Sequence, residues 1–169
     1  SNSHCLLSCF DSNKKFLFIQ KNGQVVFRAM LRLTKGSYAD DMHRKKIQFA
    51  DLSNLDETKE EEGEELVLFL ERYYEKNLSC EELDAAVNLA IETAKEKANK
   101  LGARFVLSTY YQDNVRTNEY IKSSYYLYIS KSKNGSQYLD SLFGSASVTD
   151  SGCYGRNLFL MENKSKGAV

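Results

Sequence analysis

Apolar positions early in the chain recur at every second residue. Val25, Phe27, Ala29, Leu31 and Leu33 alternate with polar or small neighbours, the period of a strand with one buried face. Just before them, Lys15 to Gln20 is a short apolar run ending at Lys21-Asn22-Gly23-Gln24. Asn-Gly is a strong hairpin signal because both residues tolerate positive φ. The pattern therefore predicts an antiparallel hairpin of Phe16–Gln20 with Val25–Leu33, closed by Lys35-Gly36, and a further short strand over Leu6–Phe10. Ser37 to Glu65 has no sustained period and reads as an irregular acidic loop over 37–65, with a short strand or helical turn near Ile47–Leu52. Leu66 to Tyr74 (LVLFLERYY) is mostly apolar and aromatic, consistent with a central strand.

The period then changes from two to three and four. Leu83, Val87, Ala90, Ile91, Ala94, Ala98 and Leu101 form one apolar stripe. Ser79-Cys80-Glu81-Glu82 ahead of it is a capping box, and Gly102 behind it is a C-terminal stop. These signals predict a helix over 79–101. Ala103–Tyr111 reads as the next strand, so strand, helix and strand make a βαβ unit with parallel strands. Ser123–Ser130 and Leu158–Glu162 read as two more strands. Lys131–Ser136 is expected to be a turn, Gln137–Phe143 a helical turn, Gly144–Gly155 a polar connection and 164–169 a tail. The expected architecture is one α/β domain over 1–169, a mixed central sheet carrying an N-terminal hairpin and one long amphipathic helix.

Composition narrows the function classes. The 169 residues carry 23 basic and 23 acidic side chains, so the chain has no general electrostatic attraction to nucleic acid or to an anionic membrane. No run approaches the about 20 apolar residues of a membrane span. Cys5-Leu6-Leu7 is soon followed by Asp11, Lys14 and Lys15, which argues against a signal peptide. Asp56–Glu65 holds seven carboxylates and one lysine, a solvated loop without the alternating ligands of a calcium site. The four cysteines lack zinc spacing, and no metal is expected; small buried or half-buried thiols in a reducing compartment are. His4 and His43 read as surface imidazoles, and His43-Arg44-Lys45-Lys46 as a solvated basic cluster. Tyr125, Tyr126 and Tyr128 read as a strand packed on both sides, with a Tyr-rich binding surface as the sharper alternative. Ser1-Asn2 resembles a cloning remnant, so the chain is expected to be a domain cut from a longer protein.

The order of elements resembles the GNAT N-acetyltransferase family. The resemblance rests on Phe16–Leu33, Leu66–Tyr74, Leu83–Gly102 and Arg104–Ser108, with Tyr138-Leu139-Asp140-Ser141-Leu142-Phe143-Gly144 similar to the family's late aromatic turn. It implies a GNAT-like fold, an acetyl-CoA cofactor at the N-terminus of the long helix, and cofactor contacts from Asn77, Leu78, Ser79 and Cys80. It also implies Glu71 or Glu75 as the base for an amine and Tyr138 as the acid for the thiolate. The family's signature, Arg/Gln-x-x-Gly-x-Gly/Ala, is replaced here by Asn77-Leu78-Ser79-Cys80-Glu81-Glu82-Leu83-Asp84. Carboxylates in a first helical turn stabilise the helix by about 0.3–1 kcal/mol each but repel a diphosphate. The preferred expectation is therefore a non-catalytic GNAT-like recognition or accessory module of a larger cytoplasmic bacterial protein. It would bind a protein or small-molecule ligand, and neither nucleic acid nor membrane. The alternative is an acyl-CoA-dependent N-acetyltransferase with an atypical cofactor loop, which predicts an open gap between strands 66–74 and 104–111.

Overall fold

The computed structural model describes residues 12–38, 63–116, 118–130, 132, 137, 140–143 and 152–162. Its elements are β1 (Lys14–Lys21), β2 (Gln24–Tyr38), β3 (Glu65–Glu75), α1 (Cys80–Leu101), β4 (Arg104–Leu107), β5 (Tyr120–Ile129), α2 (Asp140–Phe143) and β6 (Gly152–Met161). A 3-10 turn, Thr109–Asn114, follows β4. The expected strand at Leu6–Phe10, the Ile47–Leu52 element and the 164–169 tail lie outside the described residues.

The hairpin forms where the alternation places it, with Asn22 and Gly23 both at positive φ in the turn. The βαβ unit forms too, β3 and β4 pairing in parallel around α1. The strands pair in the order β1-β2-β3-β4-β6-β5, and β5 pairs back onto β2. Strands β2, β3, β4, β6 and β5 thus close into a five-stranded barrel, a closure the sequence pattern did not indicate. It is possible because β2 is long. Its first part pairs with β1, and Lys35–Tyr38 pair on β5 beyond the end of β1.

Gly36 therefore does not end the strand, contrary to the sequence expectation. It is an interior strand residue whose missing side chain makes room for a ring. A Cβ placed there would lie 2.3 Å from Cε1 of Tyr125. The last strand begins earlier than its apolar content indicates, at Gly152, because its first half pairs with β5 from Ile129 to Tyr125. Strand β4 is shorter than the expected Ala103–Tyr111. Ser108 Oγ accepts from the Tyr110 N–H at 3.2 Å and turns the chain into the 3-10 segment.

The two faces of the sheet hold two cores. Inside the barrel lie Val67, Phe69, Val106, Tyr125, Leu127, Ile129, Leu158 and Leu160, with Leu142 of α2 packed against them. Outside it, Phe27, Ala29, Leu31, Leu68, Leu70, Phe105 and Leu107 pack with the stripe of α1. That stripe is Ala86, Val87, Ala90, Ile91, Ala94 and Ala98; Ala86 joins the expected set, while Leu101, the last helical residue, is exposed. The tyrosines of β5 follow the packed-strand reading, since Tyr125 and Tyr128 are buried.

Candidate functional site

The register of β3 shifts opposite Met30. Ala29 faces Tyr73 and Leu31 faces Leu70, so Glu71 and Arg72 together oppose one residue of β2. This is a β-bulge, a device that re-aims side chains and sharpens local twist. It divides the surroundings into a buried polar cluster and an exposed cationic face.

Glu71 points into the buried cluster. Both of its carboxylate oxygens lie 3.4 Å from Nη2 of Arg32. Arg32 Nη1 and Lys14 Nζ each donate to Gln137 Oε1 at 2.9 Å, and Gln137 Nε2 donates to the Ser130 carbonyl at 2.7 Å. All four side chains are buried. Charges removed from water in this way are tolerated only when paired and hydrogen-bonded. The cluster ties residue 137 to the sheet, and its carboxylate is buried.

The expected catalytic and cofactor residues that are described take separate structural roles. Glu75 is exposed at the end of β3, where its carboxylate accepts from the Leu78 N–H at 3.4 Å. Tyr138 lies outside the described residues. Asn77 takes a left-handed conformation, φ 57°, in the turn before α1. Leu78 packs on the α1 core. Ser79 caps the helix: its Oγ accepts from the Glu82 N–H at 3.1 Å, while Glu82 Oε1 accepts from the Ser79 N–H at 3.2 Å. Lys21 Nζ, from the tip of the hairpin, sits 2.5 Å from the other Glu82 oxygen. The Lys21 hydrogen bond, and then those with Ser79, hold the Glu82 carboxyl below its ordinary value. Cys80 is exposed, not buried or half-buried as expected, because it starts the helix on its solvent side; Cys153 is half-buried.

The gap required for acyl-CoA between β3 and β4 is also filled. The two strands pair from Val67–Arg104 to Leu70–Leu107, and the Ser108 N–H continues to the Leu70 carbonyl at 3.2 Å. Beyond that point the Tyr111 ring occupies the space beside β3. It is 0% exposed, and its hydroxyl donates to the Glu71 carbonyl at 2.6 Å. Burial, the largest cause, raises the Tyr111 pKa, so the group stays a neutral donor. A shallow cavity of about 400 Å³ lined by Gln112, Val115, Tyr120, Lys122 and Phe159 lies elsewhere and includes none of the expected site residues.

The exposed face is the feature that sequence reasoning missed. Phe18 of β1 pairs with Arg28 of β2, which pairs with Tyr74 of β3, so the three stand in a row on the side opposite α1. The Arg72 guanidinium lies 4.8 Å from the Tyr74 ring centre and 4.2 Å from that of Tyr110; the Arg28 guanidinium lies 5.2 Å from Tyr74. Arg72 Nη1 also donates to the Tyr110 hydroxyl at 3.0 Å. Phe16 and Phe18 stack on each other at 5.4 Å and are 37% and 57% exposed. One signal could have found this face. Residues 12–38 contain six basic residues and no acidic one, within a chain that is neutral overall, although Lys14, Arg32 and Lys35 are buried and only Lys15, Lys21 and Arg28 are exposed.

Among the described residues, no helix is long and apolar enough to cross a membrane, and no group of His, Cys, Asp or Glu is arranged to hold a metal. Comparison of the chain with protein-family models, with curated proteins and with solved structures finds no match.

Proposed function

We propose that this domain is a non-catalytic, GNAT-like recognition module of a larger intracellular bacterial protein. The observation that carries the proposal is the state of the α1 N-terminus. An acyl-CoA pyrophosphate needs free backbone donors at a positive helix end. Here the Leu78, Ser79 and Glu82 N–H groups are taken by Glu75, Glu82 and Ser79 side chains of the same chain. A diphosphate would have to displace these acceptors and settle beside the carboxylates of Glu81 and Glu82. The filled space beside Tyr111 supports the same reading.

Titration of acetyl-CoA into the purified domain by isothermal calorimetry tests it. The expected result is no heat beyond dilution, corresponding to a Kd weaker than about 1 mM. Saturable one-to-one binding in the micromolar range would sink the proposal in favour of an N-acetyltransferase with an atypical cofactor loop.

A further inference from the structure

We infer that the cavity lined by Gln112, Val115, Tyr120, Lys122 and Phe159 is a binding site for a small, uncharged, apolar molecule bearing a carbonyl group, whose oxygen accepts a hydrogen bond from Tyr120. The inference rests on the recognition-module reading and names the class of ligand.

Three observations lead to it. First, the cavity has the size and lining of a ligand site. It holds about 400 Å³, and ligand pockets span about 300–1,000 Å³, mostly apolar with a few polar groups. Val115, Tyr120 and Phe159 supply apolar walls, while Gln112 and Lys122 are exposed at its edge. Second, regular structure holds these walls. Lys122 pairs directly with Phe159 across β5 and β6, and Tyr120, two residues earlier on β5, shares the face of Lys122. The Tyr120 ring also meets the Phe105 ring edge to face, with centres 6.2 Å apart. Third, the Tyr120 hydroxyl is unsatisfied. The residue is 5% exposed, and its hydroxyl has no hydrogen-bond partner among the described residues. Tyr111 shows the ordinary arrangement, its buried hydroxyl donating to the Glu71 carbonyl. A buried hydroxyl without a partner weakens a fold, so native structures keep few of them. This one belongs to the wall of a cavity, where an occupant supplies the acceptor that the protein does not.

The surrounding charge selects the occupant. Burial, and then the carboxylates of Glu119 and Glu92, raise the Tyr120 pKa, so its hydroxyl is a neutral donor that needs an acceptor. An ammonium has no acceptor to offer. An anion would add a third negative charge beside Glu119 and Glu92, which Lys95 offsets only in part, 3.6 Å and 3.4 Å from them. Lys122 is the one charged side chain among the described lining residues, and its Nζ lies 5.8 Å from the centre of the Phe159 ring. It is exposed, and exposed ion pairs contribute little. A hydrocarbon would leave the hydroxyl as it is. A carbonyl oxygen accepts without bringing charge, and an apolar body beside it covers Val115 and Phe159.

The test uses the whole chain and backbone-amide NMR titrations with three probes of one shape: acetylnaphthalene, ethylnaphthalene, which lacks the acceptor, and naphthoate, which carries a charge. The inference expects acetylnaphthalene to shift the amides of Val115, Tyr120, Lys122 and Phe159 saturably, with a Kd at least about fivefold below those of the other two probes. Tyr120→Phe keeps the ring and removes the hydroxyl. It should abolish the advantage of acetylnaphthalene over ethylnaphthalene, and its urea midpoint should not fall, since no hydrogen bond within the protein is lost. Gln112→Trp, at an exposed position, fills part of the cavity and should weaken acetylnaphthalene at least about fivefold with circular dichroism unchanged. No binding of acetylnaphthalene, equal binding of ethylnaphthalene, tighter binding of naphthoate, or an advantage that survives Tyr120→Phe would each overturn the inference. So would shifts confined to other residues. The acetyl-CoA calorimetry reads the N-terminus of α1, none of whose residues is among the described residues lining this cavity. Failure of this assignment and failure of the underlying functional reading are therefore distinguishable.

Discussion

Gly36→Ala should destabilise the domain, and the sign should reverse when Tyr125 is removed. Gly36 sits in ordinary extended backbone, since the positive-φ glycines among the described residues are Gly23, Gly63, Gly102 and Gly152. Backbone alone would favour alanine, which stabilises by about 0.4–1 kcal/mol through the unfolded chain. The ring opposes this. The new Cβ would meet Tyr125 Cε1 at 2.3 Å and its Cζ and hydroxyl at 2.8 Å. Tyr125 is fully buried in the barrel and donates to Glu65 Oε1 at 2.6 Å, so it has nowhere to go without losing that bond. Overpacking of a tight core costs about 1–3 kcal/mol. Losing a hydrogen bond to a charged acceptor costs about 1.5–3 kcal/mol, discounted here because Glu65 also reaches solvent and Arg104. The net expectation is a loss of about 2–4 kcal/mol. Urea unfolding followed by far-ultraviolet circular dichroism measures it. In a Tyr125→Ala background the same substitution should be neutral or stabilising by about 0.4–1 kcal/mol. A loss below about 0.5 kcal/mol in the parent chain, or an equal loss in both backgrounds, refutes the close approach of ring and glycine and with it this account of barrel closure.

Other consequences follow from the same geometry. Glu71→Ala leaves Arg32 buried against Gln137 without its carboxylate, and should cost about 3–5 kcal/mol in the same urea assay; a loss under about 1 kcal/mol would show the pair to be solvated. Ser79→Ala removes the helix cap and should cost about 1 kcal/mol. The Glu82 contribution has a defined pH dependence. Its carboxyl is held below 4.5 in the folded chain by Lys21 and Ser79, so its stabilisation is present above that pH and is lost as the pH falls through the folded value. Thermal melts of the parent and of Glu82→Gln should therefore differ at neutral pH and converge in acid. Burial pushes the Cys153 thiol up to about 12, so at pH 8 iodoacetamide should modify exposed Cys80 well before Cys153, as read by peptide mass mapping. Equal rates at the two thiols would contradict the described burial.

The readable parts of this fold are those whose signals are local. Ser79, Glu82 and Gly102 lie within a turn of the groups they cap, so the helix could be bounded closely from sequence. Asn22-Gly23 fixes a two-residue turn by backbone preference alone. The barrel was illegible for the opposite reason. Its closure depends on Gly36 meeting Leu127 and on Tyr125 lying over Gly36, pairs about 90 residues apart. In sequence, Lys35-Gly36 carries the signature of a stop, because a glycine that makes room for a ring and one that ends a strand look alike. The bulge falls where Glu71 and Arg72 interrupt the apolar-to-aromatic run, a break that reads equally well as a solvent-facing pair, so Glu71 could not be assigned to the interior. The exposed face was barely legible: the basic residues of 12–38 do not say which of them are buried, and the row Phe18, Arg28, Tyr74 exists only through strand register.

The helix cap and the hairpin tip are coupled. Leu17 and Ile19 of β1 pack toward the α1 core, while Phe16 and Phe18 face away from it. At the far end of the hairpin, Lys21 reaches the Glu82 carboxylate of the helix cap. The acidic first turn of α1 thus acts as a clamp for the hairpin tip. This reasoning separates two effects in Lys21→Ala. The pair is solvent-exposed, so the midpoint of global unfolding should hardly move. Amide exchange in β1 should accelerate, because local opening of the hairpin loses its tether while the barrel stays closed. If exchange in β1 is unchanged while that in the barrel strands rises, the contact supports the whole fold, and the clamp is the wrong description of the helix cap.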